Sequence, residues 1–316
     1  MKNPTRRSAL ALAAVAALAL TGCGSSDPLG GGDTASGSPS ATGGTGGAGG
    51  GDALVIGSQQ YYSNEIIAEL YAQALEAEGY TVEREYQIGQ REVYLPEVES
   101  GAIDVMPEYG GNLLQYYDAE ATATSPEDIQ AALAEVLPQG LRPLEPAEAT
   151  DQDSYNVTRE FAEKHSLTTL ADLQNVDEQL KVAANSEFET RPYGPAGLKE
   201  AYGVDVTVVP VEDSGGPLTV KALVDGDVQL ADIYSADPSI AAEDLVTLED
   251  PENLILPQNV TPIVSDAVDE QAAAVIEEVN AKLTPEELIG LNRQSVEKEA
   301  SSEDIAQAWL SGQGLS

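Results

Sequence analysis

Two tyrosines occupy matching positions after two separate apolar segments of the chain. Tyr109 and Tyr234 each lie eight residues after a glycine, Gly101 and Gly226, and both copies run in the order helix, glycine, strand, tyrosine. A residue at the carboxyl end of a strand lies at the edge where open α/β sheets bind ligands. The repeat therefore predicts a cleft lined by one tyrosine from each half of the chain. Two unrelated turns that carry surface tyrosines are the alternative interpretation.

The other tyrosines extend this pattern, since the chain has 13 Tyr but only 2 Phe and 1 Trp. Tyr61, Tyr62, Tyr155 and Tyr193 also lie in predicted loops or at strand ends rather than on the apolar faces of helices. Each phenol ring attracts a desolvated organic cation by roughly 0.5 to 2 kcal/mol. A quaternary ammonium is the expected guest, because it has no N–H group to satisfy.

Catalytic chemistry finds little support in the sequence. The chain has one His and one Cys, and His165 lies in a polar stretch that is typical of a solvated helix end. A His-dependent triad or a His- or Cys-rich metal site is therefore not expected. Acidic side chains are so frequent that two neighbouring carboxylates carry no information about acid–base catalysis. We expect no enzyme activity, no cofactor and no metal.

The charge of the chain restricts its partners. Its 15 Lys and Arg residues against 54 Asp and Glu residues give a formal net charge of −39. A surface this acidic repels phosphate backbones and anionic headgroups, so nucleic acid is not expected as a partner. The chain is 42% hydrophobic, which is enough to bury a core.

The first 52 residues look like an export and anchoring segment. Basic residues precede a short apolar run that ends in Leu20-Thr21-Gly22-Cys23, which resembles the bacterial lipobox. We therefore expect a signal peptide over 1–22, a lipid on Cys23 and a flexible Gly/Ser-rich linker within 23–52. An ordinary signal peptide with an incidental cysteine is the alternative.

Strands and helices are predicted to alternate through the rest of the chain. The predicted strands are 53–57, 80–88, 103–106, 180–184, 206–211 and 228–233. Helices are predicted from an N-cap at Ser63 to Gly79, over 91–100, 194–202 and 218–224, and over 269–310 with breaks near 284 and 301. This alternation favours parallel sheets with helices on both faces.

Several motifs in order resemble the osmoprotectant-binding proteins of ABC importers, the glycine betaine/choline/carnitine group. They include Gly57-Ser58-Gln59, Gly101-x-Ile-Asp-x-x-Pro-Glu-Tyr109-x-Gly111, Ser186-Glu-Phe-x-x-Arg191 and Tyr234-x-x-Asp237-x-x-Ile240. The second is the most specific, and the resemblance extends over essentially all of 53–313.

This resemblance implies a fold and a cellular role. The fold would be α/β, a two-lobed periplasmic-binding-protein clamshell of type II, with mixed sheets flanked by helices and two hinge crossings. One lobe would comprise 53–152 plus 258–316, and the other 153–257. The protein would be a monomeric extracytoplasmic receptor, held by its lipid on the outer face of the cell membrane. It would deliver a betaine-type solute to a permease that works with a cytoplasmic ATPase.

The resemblance also assigns roles to individual residues. By position, Tyr109, Tyr155 and Tyr234 would form the walls of an aromatic cage, with Asp153 beside the cation. Arg191 matches an arginine that engages a ligand carboxylate, a role that suits the planar guanidinium fork. Residues at the other end of the ligand would be Gln59 and Asn112.

Departures from the family pattern leave the solute open. Gln258 replaces a cage tyrosine, so one wall would be an amide unless Tyr61, Tyr62 or Tyr193 supplies a ring instead. A non-betaine ligand is one alternative, and an extracytoplasmic sensor of the same fold that is not coupled to transport is another. A secreted hydrolase is a third, although no persuasive pair of nucleophile and base is present.

Overall fold

Two five-stranded sheets organise the protein in a computed structural model that describes residues 53–316. The strands are β1 (Leu54–Gly57), β2 (Val82–Glu85), β3 (Val105–Tyr109), β4 (Leu141–Pro143), β5 (Tyr155–Thr158), β6 (Leu180–Ala184), β7 (Val206–Pro210), β8 (Leu230–Asp232), β9 (Leu245–Thr247) and β10 (Val260–Ser265). The strand order is β2-β1-β3-β10-β4 in the first sheet and β7-β6-β8-β5-β9 in the second. The structure around the first sheet is called the first lobe below, and that around the second sheet the second lobe.

Both sheets are mixed rather than wholly parallel. In the first sheet β1 pairs in parallel with β2 and β3, whereas β10 is antiparallel to β3 and β4. In the second sheet β6 is parallel to β7 and β8, whereas β5 is antiparallel to β8 and β9. The strand–helix alternation correctly predicts the parallel units. It misses the antiparallel strands β5 and β10. Each of them is the first strand after the chain crosses from the other lobe.

Helices cover the two sheets. They are α1 (Tyr62–Ala77), α2 (Arg91–Glu99), α3 (Gly110–Tyr117), α4 (Pro126–Val136), α5 (Arg159–His165), α6 (Pro195–Tyr202), α7 (Pro217–Val224), α8 (Ser239–Ala242), α9 (Glu270–Asn280), α10 (Pro285–Lys298) and α11 (Ser302–Gln313), with short 3-10 helices at Leu170–Asn175 and Ser186–Thr190. Within residues 53–316, no helix combines the length and apolar character that crossing a membrane requires. The predicted signal peptide (1–22), the lipidation site Cys23 and the linker (23–52) lie outside the described residues.

The chain crosses between the sheets twice, between β4 and β5 and again between β9 and β10. The two crossing segments run antiparallel, and Thr150 pairs with Asn259 in an isolated bridge. The backbone N–H of Asp151 also donates to the carbonyl of Gln258 at 3.3 Å. Two short paired segments thus join the lobes, an arrangement that lets the lobes rotate while each sheet stays intact.

The first helix places its apolar face in the core of the first lobe. Ile66, Ile67, Leu70 and Leu75 recur at helical spacing, and each is at most 1% exposed. The predicted N-cap at Ser63 is wrong, because the N-cap is Tyr61 and α1 begins at Tyr62. The hydroxyl of Ser63 instead donates a hydrogen bond to the carboxyl group of Asp151.

Candidate ligand-binding cleft

The two lobes enclose a cavity of about 40 Å³ at the carboxyl ends of their strands. Tyr109 is the last residue of β3, and Tyr234 follows β8 by two residues. Gln59 and Tyr61 follow β1, and the first crossing segment contributes Asp151 and Asp153. The cavity lies where the matched tyrosines predict a cleft, because parallel strands direct their carboxyl ends to one edge.

Four phenol rings and one phenyl ring form the aromatic part of the wall. They come from both lobes: Tyr61 and Tyr109 from the first, and Phe188, Tyr193 and Tyr234 from the second. The rings of Tyr61 and Tyr234 meet edge to face across the cleft, with centroids 5.0 Å apart and an interplanar angle of 62°. Burial raises the pKa of both phenols well above 10, so both rings are neutral.

Carboxyl groups line the same cavity. Asp151 accepts hydrogen bonds from the Ser63 hydroxyl at 2.8 Å and from the backbone N–H of Ala236 at 3.2 Å. Burial nevertheless raises the pKa of Asp151 to about 7, and the nearby charges of Asp153 and Asp237 act in the same direction. This part of the wall therefore favours a positively charged guest, because a cation compensates buried negative charge.

A pair of acidic side chains lies on the side of the second lobe. The carboxyl groups of Asp153 and Asp232 are close enough to influence each other, and both side chains are buried. Burial, followed by the charge of Asp153, raises the pKa of Asp232 well above 3.8. A buried carboxyl group beside another negative charge is favoured in its neutral form, and this applies to Asp232. Asn112, from the first lobe, donates to Asp153 at 2.7 Å and joins the lobes there.

Two arginines line the cavity, and each is paired with a glutamate. Arg91 donates to Glu108 through two nitrogens, both at 2.8 Å, and the two side chains are buried. Arg191 donates to Glu92 at 2.7 Å, and this pair joins the second lobe to α2 of the first lobe. The positive charge of each arginine is therefore balanced by a glutamate, in contrast to the carboxyl groups on the acidic side.

Two amide groups offer donors to the cavity. Within residues 53–316, the Nε2 atoms of Gln59 and Gln90 are buried and have no hydrogen-bond partner. Both residues line the cavity. An unpaired buried N–H group costs about 1 to 3 kcal/mol, so an acceptor atom on a guest would stabilise this wall.

Tyr155 and Gln258 lie behind the wall rather than in it. The hydroxyl of Tyr155 donates to the backbone carbonyl of Tyr193 at 2.8 Å, and its ring packs edge to face on Phe188. Gln258 is fully buried, accepts from the backbone N–H of Asn112 at 2.9 Å and donates to its side-chain oxygen at 2.8 Å. These two residues therefore position wall residues, which differs from the cage roles that the resemblance implies.

The other predicted residues line the cavity together, and the structure adds several that sequence analysis did not select. The predicted ones are Gln59, Tyr61, Tyr109, Asn112, Asp153, Arg191, Tyr193 and Tyr234, and the added ones are Gln90, Arg91, Asp151, Asn185, Glu187, Phe188 and Asp232. Two of the added residues had a sequence signal. Asp151 precedes Asp153 by two residues and Asp232 precedes Tyr234 by two, a spacing that places extended residues on one face.

The family comparison covers nearly the whole described chain. Residues 52–312 match the model of the substrate binding domain of ABC-type glycine betaine transport systems. A relative, the glycine betaine-binding protein YehZ of Escherichia coli K12, is 26% identical over 275 residues, which is 82% of this chain and 90% of the relative. The carnitine transport binding protein OpuCC of Listeria monocytogenes is 24% identical over 273 residues, covering 82% and 86%.

A solved structure supports the fold. The crystal structure of a glycine betaine/carnitine/choline ABC transporter protein superposes with a TM-score of 0.68 at 21% identity, over 83% of this chain and 99% of the other. The two mixed sheets with their flanking helices thus form the type II periplasmic-binding-protein fold, which confirms the predicted fold class.

Proposed function

Because the chain belongs to the family of substrate-binding domains of ABC-type glycine betaine transport systems, we propose that it is an extracytoplasmic receptor for a quaternary-ammonium solute. Members of the family are solute-binding proteins of ABC transporters rather than enzymes, in agreement with the sequence prediction that the chain is not an enzyme.

The observation that carries the proposal is the cavity in which phenol rings from both lobes lie beside buried carboxyl groups. Tyr61, Tyr109 and Tyr234 would hold the methylated ammonium by their π faces, and Asp151 and Asp153 would compensate its charge. A carboxylate or hydroxyl at the other end of the solute would accept from Gln59 or from Arg191. The direct contact between Tyr61 and Tyr234 means that the lobes must part to admit such a solute.

Closure would then sequester the solute and present both lobes to a permease that works with a cytoplasmic ATPase. A lipid on Cys23 would hold the monomer at the outer face of the cell membrane, and the segment up to residue 52 would serve as its tether. Uptake of radiolabelled choline or glycine betaine by cells with and without the chain tests delivery. Fatty-acid labelling of the protein tests the anchor.

The cage is tested with a pair of variants at Tyr234. Replacing the ring in Tyr234→Ala should cost at least about 1 kcal/mol of binding free energy, or roughly a fivefold loss of affinity. Tyr234→Phe keeps the π face and loses only a hydroxyl, so its affinity should stay close to that of the wild type. Isothermal titration calorimetry with choline, glycine betaine and carnitine measures both. Unaltered affinity of Tyr234→Ala for the bound solute would reject the cage.

A further inference from the structure

The guanidinium of Arg191 already has a carboxylate partner, and this partner belongs to the opposite lobe. Glu92 lies in the first turn of α2, whereas Arg191 follows the 3-10 helix Ser186–Thr190 of the second lobe. The Nη1 atom of Arg191 donates to Glu92 Oε1 at 2.7 Å, and Nη2 lies 3.4 Å from Oε2. The carboxylate of Glu92 thus occupies the two terminal guanidinium nitrogens to which a solute carboxylate would bind.

The pair lies at the mouth of the cleft. The side chain of Arg191 is 14% exposed and lines the cavity, whereas that of Glu92 is 51% exposed. Burial alone would raise the pKa of Glu92, but the hydrogen bond from Arg191 and the surrounding charges outweigh it and lower that pKa. Glu92 is therefore a carboxylate at neutral pH, and it can move into solvent when a competitor arrives.

The second arginine of the cavity is a poorer partner for a solute carboxylate than Arg191. Both nitrogens on one edge of Arg91 are bonded to Glu108, and neither side chain of that pair is exposed by more than 7%. Breaking such a buried pair strands a charge and is costly. A solute carboxylate therefore reaches a guanidinium at lower cost at Arg191, where the half-exposed Glu92 is its competitor.

We propose that Glu92 is a specificity-determining residue that competes with the solute for Arg191. It disfavours solutes that carry a carboxylate relative to cations that lack one, such as choline. The competition is electrostatic as well as geometric, because two carboxylates on one guanidinium repel each other at short range. This role rests on the proposed function, since it presupposes that a quaternary-ammonium solute occupies the cleft.

The test compares two solutes across two matched variants. Glu92→Gln keeps the size of the side chain but removes its charge. Glu97→Gln makes the same change of charge on the same helix, at an exposed side chain without a hydrogen bond among the described residues. The affinities for glycine betaine and choline are measured by isothermal titration calorimetry at pH 7 in one buffer, and their ratio is compared among the proteins.

Glu92→Gln should shift the ratio about fivefold towards glycine betaine, whereas Glu97→Gln should leave it unchanged. In an Arg191→Ala background the effect of Glu92→Gln on the ratio should disappear, because no guanidinium remains to be contested. A ratio in Glu92→Gln that stays within twofold of the wild-type ratio overturns the proposal. This holds whether both affinities fall together or neither changes, because the ion pair then only joins the lobes. If the wild-type protein binds none of choline, glycine betaine and carnitine, the proposed function itself is refuted and the role of Glu92 falls with it.

Discussion

The buried carboxyl group of Asp151 should contribute to the pH dependence of the protein's stability, and Asp151→Asn should remove that contribution. The variant retains the geometry, because the amide oxygen of Asn can accept from the N–H of Ala236 and its nitrogen can donate to the Ser63 hydroxyl oxygen. These contacts are 3.2 and 2.8 Å long in the wild type. What the variant loses is the ability to ionise.

The expected magnitude follows from the pKa. An ordinary Asp has a pKa of 3.8, whereas burial raises that of Asp151 to about 7. Between these values the folded protein holds a proton that the unfolded chain has released, so the free energy of unfolding falls as the pH rises. The loss is complete above about pH 7. A difference of about 3 pH units at 1.36 kcal/mol per unit amounts to about 4 kcal/mol.

Urea titration at pH 4, 5, 6, 7 and 8 measures this dependence, with the fluorescence of Trp309 as the probe. Trp309 is the single tryptophan of the chain and is buried at 8% exposure, so its emission reports unfolding. Between pH 4 and pH 8, the free energy of unfolding of Asp151→Asn should rise by about 4 kcal/mol relative to that of the wild type. Asp227→Asn, at an exposed side chain, is the matched control and should run parallel to the wild type. Parallel curves for Asp151→Asn and the wild type would refute the reasoning.

Two further substitutions test the ion pairing and the packing around the cleft. Arg91→Met leaves the buried carboxylate of Glu108 without its guanidinium, so the free energy of unfolding should fall by about 3 to 5 kcal/mol in the same urea titration; a loss below 1 kcal/mol would contradict the pairing. Gly111→Ala places a Cβ atom 2.6 Å from the side chain of Leu256, and the overpacking should lower the unfolding free energy by about 1 to 3 kcal/mol. Gly290→Ala, which has open space around the new atom, is its control and should not be destabilised in this way.

Local patterns were sufficient to predict the strand ends that form the cleft. Tyr109 and Tyr234 were found because a glycine ends the preceding helix and a short apolar run follows, and both signals lie within ten residues. The strand 180–184 was predicted with the bounds that the structure has. Helix ends were less predictable. Ser63 has the residue type of an N-cap, but its hydroxyl bonds Asp151, a residue 88 positions away.

Partners between the lobes could not be predicted from local patterns. Glu92 and Arg191 are 99 residues apart, and Asn112 and Asp153 are 41 residues apart. In a chain with 54 acidic residues, any arginine has many candidate partners, and only the closed arrangement of the lobes selects one. The contacts that join the lobes therefore required the structure.

Which tyrosines face the cleft depends on orientation, which the order of motifs does not specify. Tyr155 begins β5, and its side chain points into the core of the second lobe, where its hydroxyl supports Tyr193. Tyr61 ends the loop before α1 and turns its ring towards Tyr234, whereas the adjacent Tyr62 donates to Asp237 at 2.8 Å. Because consecutive residues at the end of an element point in different directions, a shift of one position exchanges a wall residue for a supporting one. The cleft thus keeps several phenol rings, although Tyr155 and Gln258, two positions that the resemblance assigns to a cage, lie behind the wall. A variant at Tyr155 should accordingly act through Tyr193, and not by direct contact with a solute.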